Sequence, residues 1–177
     1  MRINIVFTLT GPDRIGIVEA VTKMLLDHDG NVESSRMARL GGEFAMLVLV
    51  SLPSEGLAGL ESVVGDLTDQ GYKITTSRTA AGHEMPPGWL PFQVEVEGAD
   101  HEGIVHEVAR YLSERGINIE SMETGVTPAP LSGTPLFTMT AIVAVPPALA
   151  DQGWQAALQG VGDRLNVDIT VSPAKKE

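Results

Sequence analysis

The spacing of apolar residues changes several times along the chain, from runs typical of strands to the three- or four-residue spacing of helices. Residues 3–10 are dominated by apolar side chains and predict a buried strand. Over residues 14–28 the apolar side chains recur every three or four positions, at Ile17, Val18, Val21, Met24 and Leu25. This spacing predicts an amphipathic helix that packs one face on a sheet.

The other elements follow from the same pattern. Strands are predicted near 31–40 and 43–52, and Gly41 and Gly42 between them indicate a hairpin, because glycine tolerates positive φ at the turn. A helix near 56–70 and a strand near 72–79 complete the first half. The second half is predicted to contain strands near 91–97, 117–127, 135–145 and 166–172, and helices near 101–115 and 149–164.

Each half therefore has the order strand, helix, strand, strand, helix, strand. This βαββαβ order is that of the ferredoxin-like fold, in which two helices cover one face of an antiparallel sheet. We predict an α+β protein with two such domains in tandem, residues 1–80 and 91–173, joined by a Pro- and Gly-containing linker at 81–90.

The two halves are copies of each other. An offset of 87 positions places Gly11 on Gly98, and ten of the 24 pairs between Gly11 and Ser34 are identical: Gly11, Asp13, Gly16, Ile17, Val18, Val21, Leu25, Asn31, Glu33 and Ser34. Met46 matches Met139 at an offset of 93, so the second copy holds six extra residues. We place them near 127–133, in a longer hairpin loop.

The strand near 43–52 has more apolar residues than a half-exposed sheet requires. Residues 44–50, FAMLVLV, are apolar at both alternating sets of positions, whereas a strand with one face in water should alternate. We therefore expect the second sheet face, or the sheet edge, to be covered by the other copy or by a second molecule.

Charge and composition exclude several classes of partner. The 177-residue chain has a net charge of −11 and scattered basic residues, whereas nucleic acids require clustered Lys and Arg, so we expect no direct nucleic-acid binding. The chain has no cysteine, which excludes disulfides and thiolate metal sites. No apolar run has the length of a membrane span or the form of a signal peptide, and we expect a cytoplasmic protein.

No catalytic motif is present in the sequence. Neither the G-x-S-x-G elbow nor the Walker phosphate loop occurs, and GPDRIG lacks the middle glycine of the dinucleotide motif. The four histidines, at positions 28, 83, 101 and 106, do not have the spacing of a zinc site. We therefore expect no catalytic residue, no metal and no cofactor.

The stretch TGPDRIGIV, residues 10–18, is the main candidate for a binding site. Its glycines permit a sharp turn, and Asp13 can cap the first free amides of the helix, which is the structural interpretation. In the functional interpretation those amides attract a carboxylate, while Asp13 or an asparagine accepts from an ammonium group, which suits an amino acid. Asn31 and Asn118 occupy matching places in GNVES and INIES; this favours a shared role, and common descent of the copies also explains it.

The spacing of GPDRIGIV, GNVESS and the following hairpin resembles that of the ACT domain, a small-molecule-sensing module. The tandem arrangement resembles the glycine cleavage system transcriptional repressor family over nearly the whole chain, including APLSGTPLFTMTAIVAVP at 129–146. The resemblance implies that ACT units pair side by side through edge strands and bind a small amino acid, such as glycine or serine, at the seam. It also implies a non-catalytic regulator that acts by protein contact on a transcription activator of glycine cleavage genes.

The family motif, carried onto this sequence, implies ligand-binding residues in both copies. They are Gly11, Pro12, Asp13, Arg14, Gly16 and Asn31 in the first copy, and Gly98, Asp100, Gly103 and Asn118 in the second. The second copy departs from the motif because Ala99, His101 and Glu102 replace Pro12, Arg14 and Ile15. We therefore expect the first site to bind better.

Two other functions stay open at this point. The chain could be a detached regulatory subunit of an amino-acid biosynthetic enzyme, or a dimerisation module without a ligand. Thermal stabilisation by an amino acid separates a sensor from a module that binds none, because a ligand of the native state raises its stability. A homodimer is the expected assembly.

Overall fold

The computed structural model describes residues 1–80, 85–129, 133–149 and 153–174, which form two compact units, Met1–His83 and Glu84–Glu177. Part of the expected linker (81–84, with His83) and part of the longer second hairpin (130–132) lie outside the described residues. In the first unit the elements are β1 (Arg2–Pro12), α1 (Ile17–Asp27), β2 (Asn31–Leu40), β3 (Glu43–Pro53), α2 (Gly56–Asp69) and β4 (Lys73–Thr79). In the second they are β5 (Leu90–Ala99), α3 (Ile104–Ser113), β6 (Asn118–Pro128), β7 (Pro135–Val145), α4 (Trp154–Leu165) and β8 (Val167–Pro173).

Each unit is a βαββαβ domain with one four-stranded antiparallel sheet. The strand orders are β2-β3-β1-β4 and β6-β7-β5-β8, so the first strand of each unit is central and pairs with the third and the last. The predicted fold, two ferredoxin-like domains in tandem, is confirmed. Among the described residues, no helix is long and apolar enough to cross a membrane.

Alternation along the strands separates a packed sheet face from an open one. In β1 the odd-numbered residues Ile5, Phe7 and Leu9 are fully buried, and they form a core with residues of α1 such as Val21. On the opposite face of β3, Leu47 keeps 52% of its surface exposed. The helices therefore cover one face of the sheet, and the apolar residues on the other face of β3 stay accessible.

Three predicted helix starts were wrong, each for the same physical reason. The helices predicted to begin at 14, 101 and 149 begin at Ile17, Ile104 and Trp154. In each case the preceding residue is a glycine in the left-handed region, with φ of 87° at Gly16, 94° at Gly103 and 64° at Gly153. That conformation cannot continue an α-helix. It favours glycine, because glycine has no Cβ. Before the third helix, Pro147–Leu149 form a short 3-10 turn.

A second pair of glycines is required by close packing. A Cβ on Gly11 would lie 2.6 Å from Cδ1 of Tyr72, and a Cβ on Gly98 would lie 2.7 Å from Cγ1 and 2.9 Å from Cα of Val167. Tyr72 and Val167 are buried residues at the entry to the last strand of each unit. Glycine at these two positions therefore lets the last strand approach the end of the central strand.

Gly98→Ala should lower the free energy of unfolding by about 1–3 kcal/mol, because the added methyl group meets backbone as well as side chain of Val167. Gly160→Ala is the matched control in the same unit: it lies inside α4, and an added Cβ meets nothing within 4 Å. The control should gain up to about 1 kcal/mol from helix propensity. Urea unfolding measures both, and an unchanged midpoint for Gly98→Ala would contradict the packing argument.

Candidate functional site

The first glycine turn connects the end of β1 to α1 with main-chain contacts. The N–H of Asp13 donates to the carbonyl of Gly42 at 3.1 Å, and the carbonyl of Gly16 accepts from the N–H of Ala20 at 2.9 Å. In this described part of the chain, no side chain caps the first amides of α1. The expectation that Asp13 caps the helix is therefore wrong: it lies before the left-handed residue Gly16, and its carboxylate is 3.8 Å from Nε of Arg39.

The second glycine turn repeats this arrangement between β5 and α3. The N–H of Asp100 donates to the carbonyl of Pro135 at 3.0 Å, and the carbonyl of Gly103 accepts from the N–H of Glu107 at 3.0 Å. Here too, within the described residues, the first amides of the helix have no side-chain cap. Both turns thus leave the positive end of a helix dipole without a capping side chain.

Tyr72 fixes the first turn against the end of α2. Its hydroxyl donates to the carbonyl of Pro12 at 2.9 Å and accepts from Nε of Arg14 at 3.1 Å. The Arg14 guanidinium also donates to Oε1 of Gln70 at 3.2 Å and lies 5.8 Å from the centre of the Tyr72 ring. Arg14, one of the expected ligand-binding residues, is therefore engaged in holding the turn.

His101 occupies in the second turn the place that Arg14 has in the first. Its Nε2 lies 2.7 Å from the carbonyl oxygen of Leu165, at the end of α4, and its Nδ1 lies 3.0 Å from that of Glu102. Since only the protonated ring donates to both oxygens, these bonds, first that to Glu102 and then that to Leu165, raise the pKa of His101 above its usual range. The second turn is therefore tied to the rest of its unit in a way that depends on pH.

The two asparagines lie at the start of an edge strand in an identical setting. Nδ2 of Asn31 donates to Oε1 of Glu33 at 2.9 Å, and Nδ2 of Asn118 donates to Oε1 of Glu120 at 2.5 Å. In both strands the register shifts immediately beyond, between Val32 and Ser34 and between Ile119 and Ser121. The repeated N-x-E-S sequence therefore encodes a β-bulge with an asparagine held in place by a glutamate.

Within one unit, the asparagine and the glycine turn lie at opposite ends of the central strand. Asn31 pairs with Ser51, which pairs with Asn4, whereas Gly11 pairs with Phe44. Seven residues of extended chain from 4 to 11 span about 23 Å. The second unit has the same arrangement, since Asn118 is level with Pro91 and Gly98 pairs with Phe137. A single unit therefore does not bring the expected ligand-binding residues together.

A cavity of about 620 Å³ lies beside the first turn, at the hairpin end of the sheet. Its walls include Gly11 and Pro12 of the turn, Leu40 and Phe44 of the hairpin, and Lys73 at the start of β4. Three of the expected residues, Asp13, Arg14 and Gly16, follow directly along the chain. In residues 1–80, 85–129, 133–149 and 153–174, no three His, Asp or Glu residues are grouped so that they could hold a metal ion.

Sequence reasoning missed three residues that position the candidate site. Tyr72 holds the first turn, and Glu33 and Glu120 hold the two asparagines. The identical spacing of Asn and Glu in both copies was the available indication for the glutamates. Tyr72 has no such indication, because its counterpart in the second unit is Val167.

The comparisons with known proteins agree with this fold. Two models of the ACT domain match the chain, over residues 4–83 and 92–152. The chain therefore belongs to the ACT-domain family, with two ACT domains in tandem, and the resemblance inferred from its motifs is confirmed.

The chain is 30% identical over 128 residues to the glycine cleavage system transcriptional repressor of Escherichia coli (strain K12). That match covers 71% of this chain and 66% of the length of the relative. The chain is thus an ACT-domain protein distantly related to that repressor.

Two crystal structures match the chain over nearly its whole length. One, of an unknown protein from Galdieria sulphuraria, has 38% identity and a TM-score of 0.82, covering 99% of this chain and 100% of the other. The second, of a candidate glycine cleavage system transcriptional repressor, has 21% identity and a TM-score of 0.72, covering 99% of each chain. At that identity the second likeness shows the fold alone.

The raised pKa of His101 predicts a pH-dependent contribution to stability. The protonated ring is stabilised in the folded state, so its contribution is complete below the unfolded pKa of about 6.5 and is lost as the pH rises through the folded value. The difference in unfolding free energy between the unmodified chain and His101→Gln should therefore be largest below about pH 6.5 and shrink as the pH rises above it. His106→Gln, on the exposed side of α3, is the matched control for the loss of a histidine ring from the same unit. A constant difference across the range would contradict the two-carbonyl arrangement.

Proposed function

We propose that this protein is a non-catalytic sensor of a small amino acid, glycine or serine. By protein–protein contact it controls a transcription regulator of amino-acid metabolism, a transcription activator of glycine cleavage genes. The observation that carries the proposal is the repeated pair of features in the two units: a helix start without a side-chain cap, and an asparagine held by a glutamate at a bulge. The name of the Escherichia coli relative supports the choice of target.

The two features are complementary to the two ends of an amino acid. The N–H groups of the first turn of α1 or α3 that have no side-chain cap attract a carboxylate because of their hydrogen-bonding capacity and the helix dipole. In α1 the N–H of Ile17 already donates to the carbonyl of Arg14 at 3.4 Å, so the amides that follow it are the ones available. Asn31 donates from Nδ2 to Glu33, which orients its Oδ1 as an acceptor for an ammonium group. A small side chain on the ligand suits a turn in which Gly11 and Gly16 add no side-chain bulk.

The proposed site is completed when two ACT units meet. Because about 23 Å of strand separates the turn from the asparagine in each unit, one ligand contacts a turn from one unit and an asparagine from another. Ligand binding then favours the arrangement of units in which both contacts form. A protein partner that prefers one arrangement responds to the ligand by population shift.

We propose that the first turn binds the ligand more tightly than the second. Tyr72 and Arg14 fix the first turn, and its fifth residue is the fully exposed Ile15. In the second turn Glu102 replaces Ile15 directly before Gly103. A carboxylate at this place opposes an anionic ligand group at the start of the helix.

A thermal-shift panel of the twenty amino acids tests the proposal. A ligand at 100 times its dissociation constant stabilises the native state by about 2.7 kcal/mol, which raises Tm by several degrees. Asn31→Ala should weaken the best ligand by about 10-fold or more, since it removes a hydrogen bond to a charged group. Gln159→Ala, an amide truncation on the exposed side of α4, is the matched control and should bind normally.

The same panel includes the outcomes that would reject the proposal. If none of the twenty amino acids raises Tm, the chain is not an amino-acid sensor. If a ligand binds and Asn31→Ala responds as the unmodified chain does, the assigned site is wrong. Glu33→Gln retains an acceptor oxygen for Nδ2 of Asn31, so its response should be closer to normal than that of Glu33→Ala.

A further inference from the structure

The cavity beside the first turn lies on the open face of the first sheet. Thr10 on β1 pairs with both Ala45 on β3 and Lys73 on β4. Ala45 also pairs with Ala38 on β2. Directly paired residues of an antiparallel sheet project to the same side, so these four side chains form one row across the sheet. The adjacent residue Leu9 is buried under the helices, and the row therefore lies on the opposite, open face.

Small side chains along this row create the depression. Ala38 and Ala45 line the cavity, whereas Arg36 and Leu47 occupy the same two strands in the preceding row. Leu40, at the end of β2, forms a wall on the hairpin side. The volume of about 620 Å³ is within the range of small-molecule sites. All the lining residues belong to the first unit.

The two charged side chains of the cavity have opposite sign and stand on different walls. Lys73 lies on β4, and Glu43 lies on β3 opposite Pro12, one row nearer the hairpin. Two strand spacings and two residues of rise place their α-carbons about 12 Å apart. Among the residues that the structure describes, neither the ammonium group of Lys73 nor the carboxylate of Glu43 has a hydrogen-bond or ion-pair partner. Both charges are therefore available to a ligand.

An α-amino acid with an aliphatic side chain has the three groups that this cavity requires. Its carboxylate is complementary to Lys73, and its ammonium group is complementary to Glu43. Its side chain extends from the same carbon over Ala38 and Ala45 toward Leu40, where removal of apolar surface from water is favourable. The long, flexible side chain of Lys73 lets the two charges approach a ligand that is shorter than the distance between the α-carbons.

We propose that this cavity is a second ligand site, specific for an α-amino acid with an aliphatic side chain. It goes beyond the proposed function and does not depend on it. The site of the proposed function uses the amides of a helix start and an asparagine from another unit, whereas the cavity uses side chains of one sheet. It is therefore complete within the first unit.

The second unit does not repeat this site. The strand register places Asp168 where the first unit has Lys73, and Leu136 where it has Glu43. The cation is thus replaced by a carboxylate, and the original carboxylate is missing. Binding is expected in the first unit alone, and the second unit is an internal control.

Two-dimensional amide NMR of the full chain, titrated with L-leucine, tests the proposal. We expect affinity in the millimolar range, because the cavity is open to solvent, and shifts of amides around Ala45 and Lys73. Glycine lacks the apolar group and should bind about 10-fold more weakly. Isocaproate and isopentylamine each lack one charged group of leucine, and each should bind about 5-fold more weakly or less tightly still.

Three variants each remove one element of the site. Lys73→Met and Glu43→Gln remove a charge and nearly keep the size of the side chain, so each should raise the dissociation constant of leucine by about 5-fold or more. Ala45→Leu fills the floor of the cavity and should abolish the saturable shifts. The same spectra report whether each variant is folded.

Matched controls place the same changes elsewhere in the first unit. Arg78→Met removes a cation from the helix side of β4, since Arg78 pairs with the buried residue Ile5. Ala58→Leu adds the same volume at an exposed position of α2. Both controls should bind leucine as the unmodified chain does.

Several results would overturn the proposal. They are the absence of saturable shifts up to about 20 mM leucine, saturable shifts confined to the second unit, and unchanged binding in Lys73→Met and Glu43→Gln. Shifts around Ala45 that follow protein concentration instead of leucine would show that a protein surface covers the cavity, and they would also overturn it. Asn31→Ala should keep its leucine response, so this test and that of the proposed function fail separately.

Discussion

The structure depends on the close approach of the last strand of each unit to the end of its central strand. Gly11 and Gly98 make this approach possible, because a methyl group at either position would overlap Tyr72 or Val167. The approach places Tyr72 where its hydroxyl reaches the carbonyl of Pro12, and it brings the end of α4 within reach of His101. The orientation of both helix starts, and hence of the candidate site, follows from this packing.

The two units show how one fold can be kept while its surfaces diverge. The bulge with its asparagine and glutamate, the left-handed glycine before the first helix, and the close-packed glycine are the same in both. Turn residues and the open sheet face differ: Arg14 is replaced by His101, and Arg36 by Glu123. Main-chain geometry is therefore common to the copies, and the chemical differences between them lie in exposed side chains.

The sequence predicted the elements and the fold because periodicity and the internal repeat are local properties of the chain. It missed the helix starts, since nothing in the pattern shows that Gly16 and Gly103 are left-handed residues outside the helix. It grouped Asn31 with the glycine turn because both are repeated. The structure separates Asn31 from the turn, because Asn31 pairs with Ser51, and Ser51 pairs with Asn4 at the other end of β1. Strand pairing is a non-local property, which the local sequence pattern does not show. Tyr72 could not be found, because the second copy has Val167 in its place.

The bulge in each edge strand has a consequence for the whole surface. Asn31 is level with Ser51, and after one inserted residue Ser34 is level with Leu49, so even-numbered residues beyond the insertion occupy the side that odd-numbered ones held before it. This change of parity turns Met37 toward the helices and Arg36 toward solvent. A single extra residue thus reverses the sheet face that each later side chain of the strand occupies. The polarity of the open sheet face therefore depends on this one insertion.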